Sequence, residues 1–328
     1  AIQLHGRQFR VQFDTEPDIL PQNISPVRIG QQKGTVALRC LHAEKATYFK
    51  NIFLRPLPEE LLQSKPKPYF SPDKRAQVDR LIRQGFPLID FHVHLKGGVS
   101  LQDVVDKSLQ TGIFCGIAPN CGIGFPIDTN DKLEQFYAEH KNIPIFLAMQ
   151  AEGREWVRTF QKESIAKFNY VFTDAMTFTD DNGKRTRLWI QEEVGEITDA
   201  HAFVEMYVRR ILSVLNEEKI DIYVNPTFLP QVIASRYEEL WTEARMGLVV
   251  DALVKNGIAL EINARYKIPS AKFIRLAKSK GVKFAFGTNN TDKEFADLDS
   301  CLQILKECDL QPSDMFFPKP VGQKPVQI

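Results

Sequence analysis

The sequence predicts an α/β fold, a barrel of seven strand–helix units behind a short β-rich segment, and three observations support this. From residue 88 onward, short apolar runs alternate with amphipathic stretches seven times. The apolar runs are near-continuous, which suits parallel strands covered by helices on their outer side. Seven units favour a closed or nearly closed barrel over an open, doubly wound sheet. At 328 residues the chain has room for such a barrel, roughly 250 residues in the usual case, plus a smaller module.

The first 57 residues read as β-structure. Residues 9–13, 34–40 and 47–55 alternate apolar and polar side chains and are separated by Gly, Pro and Asn. Phe9, Val11, Phe13, Phe49, Ile52 and Phe53 are too apolar for a solvated tail. Pro56, Pro58, Pro66, Pro68 and Pro72 then stiffen a linker, since proline fixes φ and donates no hydrogen bond. A leading helix is expected over 73–84. The barrel is expected over 86–310, with a tail at 311–328.

The barrel strands are expected at 88–94, 113–118, 144–150, 170–176, 222–226, 258–263 and 282–287. Helices are expected near 100–110, 131–140, 154–167, 198–218, 231–256, 270–280 and 292–308. The first strand carries the chemistry. In Pro87-Leu88-Ile89-Asp90-Phe91-His92-Val93-His94, alternation puts Asp90, His92 and His94 on one face. Two imidazoles two residues apart on one strand face can chelate a single divalent ion. Gly97 and Gly98 allow the chain to turn, and Ser100 with Asp103 three residues on reads as a helix N-cap.

In parallel barrels the reactive groups gather at the C-terminal ends of the strands. Those ends carry His92, His94 and Lys96; Asn120; Glu152 and Arg154; Asp174; Asn225; Glu261, Asn263 and Arg265; and Asn289 with Asn290. Each of these alone is equally well explained as a loop residue capping a helix. Seven consecutive strand ends that each offer a polar side chain point to a pocket.

Composition narrows the function classes. With 42 Lys+Arg against 41 Asp+Glu, the charges nearly cancel, which argues against a nucleic-acid groove or an acidic-membrane binder. No segment reaches the about 20 apolar residues of a membrane span. Five cysteines make no disulfide framework in a chain of this size. Cys115, Cys301 and Cys308 read as packing residues. Cys121, beside Gly122 in a strand-end loop, is the candidate for reactivity. The chain opens at Ala1, which fits a processed or trimmed protein.

Residues 87–292 resemble the polymerase and histidinol phosphatase (PHP) superfamily of metal-dependent phosphoesterases, whose fold is a distorted seven-stranded TIM-like barrel. Its His-x-His motif is matched by Asp90, His92 and His94, its metal-bridging glutamate by Glu152, and its "A-x-E-(I/V)-N" strand by Ala259 through Asn263. Three further motifs are altered. Asp-His after the second strand is Pro119-Asn120 here, His-Pro is Asn225-Pro226, and the closing Gly-Ser-Asp-Ala-His is Gly287-Thr288-Asn289-Asn290-Thr291. Residues 34–57 resemble the closing strands of the concanavalin-like jelly roll of 3-keto-disaccharide hydrolases, through Gly34 to Arg39 and Phe49 to Leu57. They cover about a quarter of such a domain. Either the N-terminal portion is missing from this chain, or a truncated sheet packs against the rest. A periplasmic or secreted location is what this resemblance implies.

A carboxamide is neutral and does not compensate metal charge as a carboxylate does. The expectation is therefore one divalent ion, zinc, manganese or similar, on His92, His94 and Glu152, with Asp174 nearby. Glu152 or Asp174 would move a proton, while Lys96, Arg154 and Arg265 would hold negative charge. Asn120, Asn225, Glu261, Asn263, Asn289 and Asn290, with Arg265, would bind the substrate. The expected activity is hydrolysis of a carbohydrate or a phosphorylated small molecule, or elimination on a sugar. The alternative is a non-catalytic barrel that binds a glycan or a partner.

Overall fold

The computed structural model describes residues 72–328, apart from 144, 180–182 and 292–296, together with two short strands at 2–4 and 34–36. The strands expected at 9–13 and 47–55, the proline-rich linker before residue 72 and most of the jelly-roll resemblance lie outside the described residues. The described chain divides into two compact units. One draws on Ala1–Ile89, Ser100–Cys115 and Asn142–Ile145, the other on Asp90–Val99, Gly116–Lys141 and Phe146–Ile328.

In the first unit, β1 (Ile2–Leu4) pairs antiparallel with β2 (Gly34–Val36), Ile2 opposite Val36. The leading helix is α1 (Pro72–Arg83). The helix after the His-x-His strand is α2 (Leu101–Thr111), and it starts as the sequence predicts. Ser100 accepts from the Asp103 backbone N–H, and Asp103 accepts in return from the Ser100 N–H at 2.8 Å. Gly112 ends the helix at φ +76°, a conformation glycine adopts without penalty. The Arg75 guanidinium donates to the Gln110 carbonyl and, at 3.0 Å, to Asp79, so α1 is tied to the end of α2.

The barrel strands are β3 (Ile89–Val93), β4 (Phe114–Ile117), β6 (Phe146–Ala151), β7 (Tyr170–Thr173), β10 (Ile222–Tyr223), β11 (Ala259–Asn263) and β12 (Phe284–Gly287). All seven expected strands are present. They follow the order β4-β3-β12-β11-β10-β7-β6. Parallel pairing of β4 with β6, Gly116 opposite Phe146 and Ile117 opposite Leu147, closes the ring. A two-residue strand β5 (Asn120–Cys121) continues the line of β4 along β6 and carries Asn120 to a place opposite Gln150.

Between the strands run α3 (Asn130–His140), α4 (Trp156–Thr159), α5 (Lys162–Ile165), α6 (Gln191–Val194), α7 (Ala200–Glu217), α8 (Gln231–Ala234), α9 (Tyr237–Leu240), α10 (Glu243–Asn256), α11 (Ala271–Ser279) and α12 (Asp299–Glu307). Two expected long helices are broken. The stretch 154–167 is α4 and α5, because Phe160 takes an extended conformation between them. The stretch 231–256 is α8, α9 and α10, the last opened by Thr242, whose hydroxyl accepts from the Arg245 N–H. Among the described residues, α12 occupies only the second half of the helix expected at 292–308. A hairpin of β8 (Thr177–Thr179) and β9 (Arg185–Arg187), with Phe178 opposite Thr186, was not expected.

Close packing sets some residue choices. A Cβ at Gly116 would collide with the hydroxyl of Tyr170, a fully buried residue that donates to the Phe91 carbonyl at 2.6 Å. Among the described residues, no helix is long and apolar enough to cross a membrane.

Candidate active site at the strand ends

His92 and His94 are buried at the end of β3, their ring centres 5.0 Å apart, with Phe172 of β7 4.6 Å from the His92 ring. Each imidazole is held through Nδ1. The His92 Nδ1 lies 2.6 Å from Oε1 of Glu261, and the His94 Nδ1 lies 2.7 Å from the Ala118 carbonyl. A carbonyl only accepts, so His94 carries its proton on Nδ1, and the carboxylate imposes the same tautomer on His92. Both Nε2 atoms are buried without a hydrogen-bond partner. Burial, with the charges of His92 and Lys96, pulls the His94 pKa well below the usual range, against opposing effects from Ala118 and Asn289. His94 is therefore neutral, with a lone pair on Nε2.

Glu261, expected to touch substrate, acts behind His92 instead. Its Oε2 accepts from the Asn225 backbone N–H at 2.7 Å and from Asn263 Nδ2 at 2.9 Å, so both of its oxygens are taken. Asp90 is also structural, accepting from the Thr288 backbone N–H, the Thr288 hydroxyl and the His92 N–H.

The asparagines were expected to read substrate hydroxyls, and four of them are engaged with one another or with the backbone. Asn225 Oδ1 accepts from Asn263 at 3.0 Å and from Asn289 at 2.8 Å, while its Nδ2 donates to Asp174 at 2.7 Å. Asn290 brackets the His94 backbone, accepting from its N–H and donating to its carbonyl. Asn225 and Asn289 hold positive φ, +48° and +46°, a region that asparagine tolerates better than most residues. Only Asn120 lies at the accessible edge, and its Nδ2 donates to Glu152 at 2.6 Å. Donors and acceptors buried in a strand-end layer must satisfy each other.

Glu152 is held through one oxygen and nearly free at the other. Its Oε1 accepts from Asn120 and from Gln150 at 3.0 Å, leaving Oε2 with the Thr177 hydroxyl at 3.5 Å. Burial and the neighbouring Asp174 charge push its pKa up to about 8, against Asn120, Lys96 and Arg185. Asp174, between Asn225 and the Met176 N–H, is also raised, chiefly by burial. Lys96 is half-buried, and burial and the Arg265 charge lower its pKa. Arg265 is exposed, with its guanidinium 4.9 Å from the Tyr266 ring centre.

One expected site residue is engaged elsewhere. Arg154 donates to Ser213 and pairs with Glu217 and Glu218 at the end of α7. Gly153, at φ +73°, turns the chain between Glu152 and Arg154, so strand alternation no longer relates them. Cys121 is buried, its Sγ faces the Pro119 carbonyl at 3.3 Å, and burial raises its pKa well above the ordinary thiol value, which disfavours the reactive thiolate.

The sequence reading missed Gln150, Thr177 and Arg185. Gln150 shares a strand face with Glu152, so period-two counting would have found it. Arg185 comes from the β8–β9 hairpin, whose signal was Asn182-Gly183 between two threonine-containing runs.

Among the described residues, no set of three His, Cys, Asp or Glu side chains converges as a ready-made metal site. No family model matches the chain, and no curated protein matches it. Two solved structures are similar over much of their length. An archaeal ribonuclease P with mature tRNA is 10% identical over 68% of this chain and 83% of that one, with a TM-score of 0.38. The tetrameric deoxyribose phosphate aldolase of Aeropyrum pernix is 11% identical over 79% and 97%, with a TM-score of 0.36.

Proposed function

We propose that this chain is a divergent PHP-like hydrolase that uses one divalent metal ion and acts on a carbohydrate or a phosphorylated small molecule. The observation that carries the reading is the pair of buried Nε2 atoms on His92 and His94, both without partners, with their lone pairs fixed by hydrogen bonds at Nδ1. Burying an unsatisfied polar atom costs about 1–3 kcal/mol, and a metal ion would remove that cost twice. Imidazoles oriented by a carboxylate and a backbone carbonyl suit divalent metals. The two imidazoles therefore fit a metal, with Glu152 the candidate third ligand and zinc or manganese the candidate ions.

A bound ion would supply Lewis acidity toward a substrate oxygen. The remaining chemistry belongs to the chain. Asn120 and Gln150 occupy Glu152 Oε1, so Oε2 is the oxygen left for either role: a metal would take it as the carboxylate, and without a metal on that oxygen a pKa of about 8 keeps a proton there at neutral pH. In the second role that proton can pass to a leaving oxygen, after which the carboxylate can take a proton back from water. Lys96 would hold developing negative charge. Glu261, Asn225 and Asn263 keep the imidazoles in register.

One observation favours a second reading, a barrel that binds a glycan or partner without turnover. Where the resemblance expects ionisable ligands at 225 and 289, this chain has carboxamides already bonded to each other. Metal analysis of protein purified without chelators, alongside panels of phosphate esters, glycosides and keto-sugars with added zinc or manganese, decides between them. Stoichiometric metal that His92→Ala abolishes, with turnover on one panel, is the expected result. Metal-free protein that still turns over substrate would overturn the metal reading, and a tightly bound glycan with both panels silent would assign the second.

A further inference from the structure

We infer that the side-chain carbonyl of Gln150 is a further ligand of the metal ion, a neutral oxygen that joins the imidazoles of His92 and His94. Gln150 takes this role only if the imidazole pair binds a metal, as proposed above.

Contacts on both sides place Gln150 next to the residues that flank the imidazoles. On β6 it lies directly opposite Phe172 of β7, and paired residues of neighbouring strands point to the same face of the sheet. That face is the barrel interior. From it Tyr170, two residues before Phe172, reaches across to the Phe91 carbonyl of β3 at 2.6 Å, and the Phe172 ring lies 4.6 Å from the His92 ring. On its other side, the Gln150 backbone N–H donates to the Pro119 carbonyl at 3.2 Å. The residue before Pro119 is Ala118, whose carbonyl holds His94 through Nδ1 at 2.7 Å.

The carboxamide is fixed in direction. Its Nε2 donates to Glu152 Oε1 at 3.0 Å, so its other end is the oxygen. That oxygen is buried and has no hydrogen-bond partner among the described residues. Three enclosed acceptors thus lie on the interior face without a donor: His92 Nε2, His94 Nε2 and Gln150 Oε1. A water molecule has two hydrogens and leaves one of three acceptors unsatisfied, whereas a divalent ion can take a lone pair from each. Carboxamide oxygens are ordinary ligands of hard divalent cations, and two neutral imidazoles with a neutral oxygen leave Glu152 to meet the charge of the ion. The Gln150 hydrogen bond serves that purpose too, since it occupies Oε1 and leaves Oε2 for the ion.

Zinc and manganese titrations of the full chain, first stripped with chelator, test this in wild type, Gln150→Met, Gln150→Glu and Asn120→Ala. Asn120→Ala removes the other donor to Glu152 Oε1 and none of the proposed ligands, so it measures what losing such a hydrogen bond costs by itself. Ion affinity is expected to fall about tenfold or more further in Gln150→Met than in Asn120→Ala. Gln150→Glu, which keeps an oxygen and adds charge, is expected to bind more tightly than wild type, and it carries the test alone if Gln150→Met does not fold. The visible spectrum of the cobalt(II)-loaded protein should change in Gln150→Met and stay as in wild type in Asn120→Ala, because only the first alters the coordination sphere. Equal losses in Gln150→Met and Asn120→Ala with the same cobalt spectrum, or weaker binding in Gln150→Glu, would overturn the assignment and leave the imidazole pair as a metal site. Wild type that takes up neither zinc nor manganese would remove both.

Discussion

Glu261 and His92 form a buried pair, carboxylate Oε1 to imidazole Nδ1 at 2.6 Å, with side chains 1% and 0% exposed. The same carboxylate receives the Asn225 N–H and the Asn263 carboxamide. In Glu261→Gln one of these oxygens becomes an amide that donates toward existing donors. Zinc or manganese affinity is expected to fall about 10–100-fold, as for other partners that orient a ligating histidine. Thermal stability should drop as well, by about 1–3 kcal/mol for the unsatisfied groups. Metal titration and melting of the same variant check both, and unaltered metal affinity would remove Glu261 from the site.

Gly116→Ala places a methyl group where the Tyr170 hydroxyl sits. The expected cost is about 1–3 kcal/mol, typical of overpacking. Tyr170→Phe removes the obstructing oxygen, so the double variant should be more stable than the sum of the two single losses predicts. Urea unfolding of all four proteins measures the coupling, and strict additivity would show that the methyl group is accommodated in another way.

Burial holds the Glu218 carboxyl up at about 7, from an ordinary 4.5, against Trp156 and Arg154. The folded protein therefore keeps a proton that the unfolded chain releases between about 4.5 and 7. Native stability from this group falls as pH rises through that window and levels off above it. Asp221, raised to about 6 mainly by burial, acts in the same direction. Glu218→Gln removes the first contribution, so the stability of wild type relative to variant should decline from pH 5 to pH 8. Denaturation midpoints at the two pH values test this, and a constant difference would contradict the raised value.

Cys121 should resist alkylation in the folded protein and react once the chain is unfolded, because its thiol is buried and its pKa raised. Peptide mapping after timed iodoacetamide treatment gives the order of modification. Rapid labelling of Cys121 under native conditions would restore it as a reactive group.

The barrel was legible because its strands are apolar on both faces and its helices are not, a contrast that survives in one sequence. His92 and His94 were legible for the same reason, since period-two alternation is geometry. What the sequence could not tell was which polar group satisfies which. Asn225, Asn263 and Asn289 have the right chemistry to read hydroxyls, but they come together across three strand ends, and that proximity is tertiary. Arg154 was misplaced by one glycine, because alternation carried past Gly153 assumes a strand that has already turned. Arg185 was invisible until the hairpin that carries it was folded.

Several loops at the strand ends hang from side chains rather than from neighbouring backbone. The amide of Asn225 is accepted by Glu261, that of His94 by Asn290, that of Thr288 by Asp90 and that of Tyr266 by Asn263. Because Glu261, Asn225 and Asn263 are also bonded to each other, releasing one loop weakens the hold on the next. The rim should therefore open as one cooperative block in amide exchange, with these four protons sharing a common opening free energy instead of fraying loop by loop. A ligand that bridges His92 and His94 would slow all four together, including the amide of Tyr266, which it need not touch.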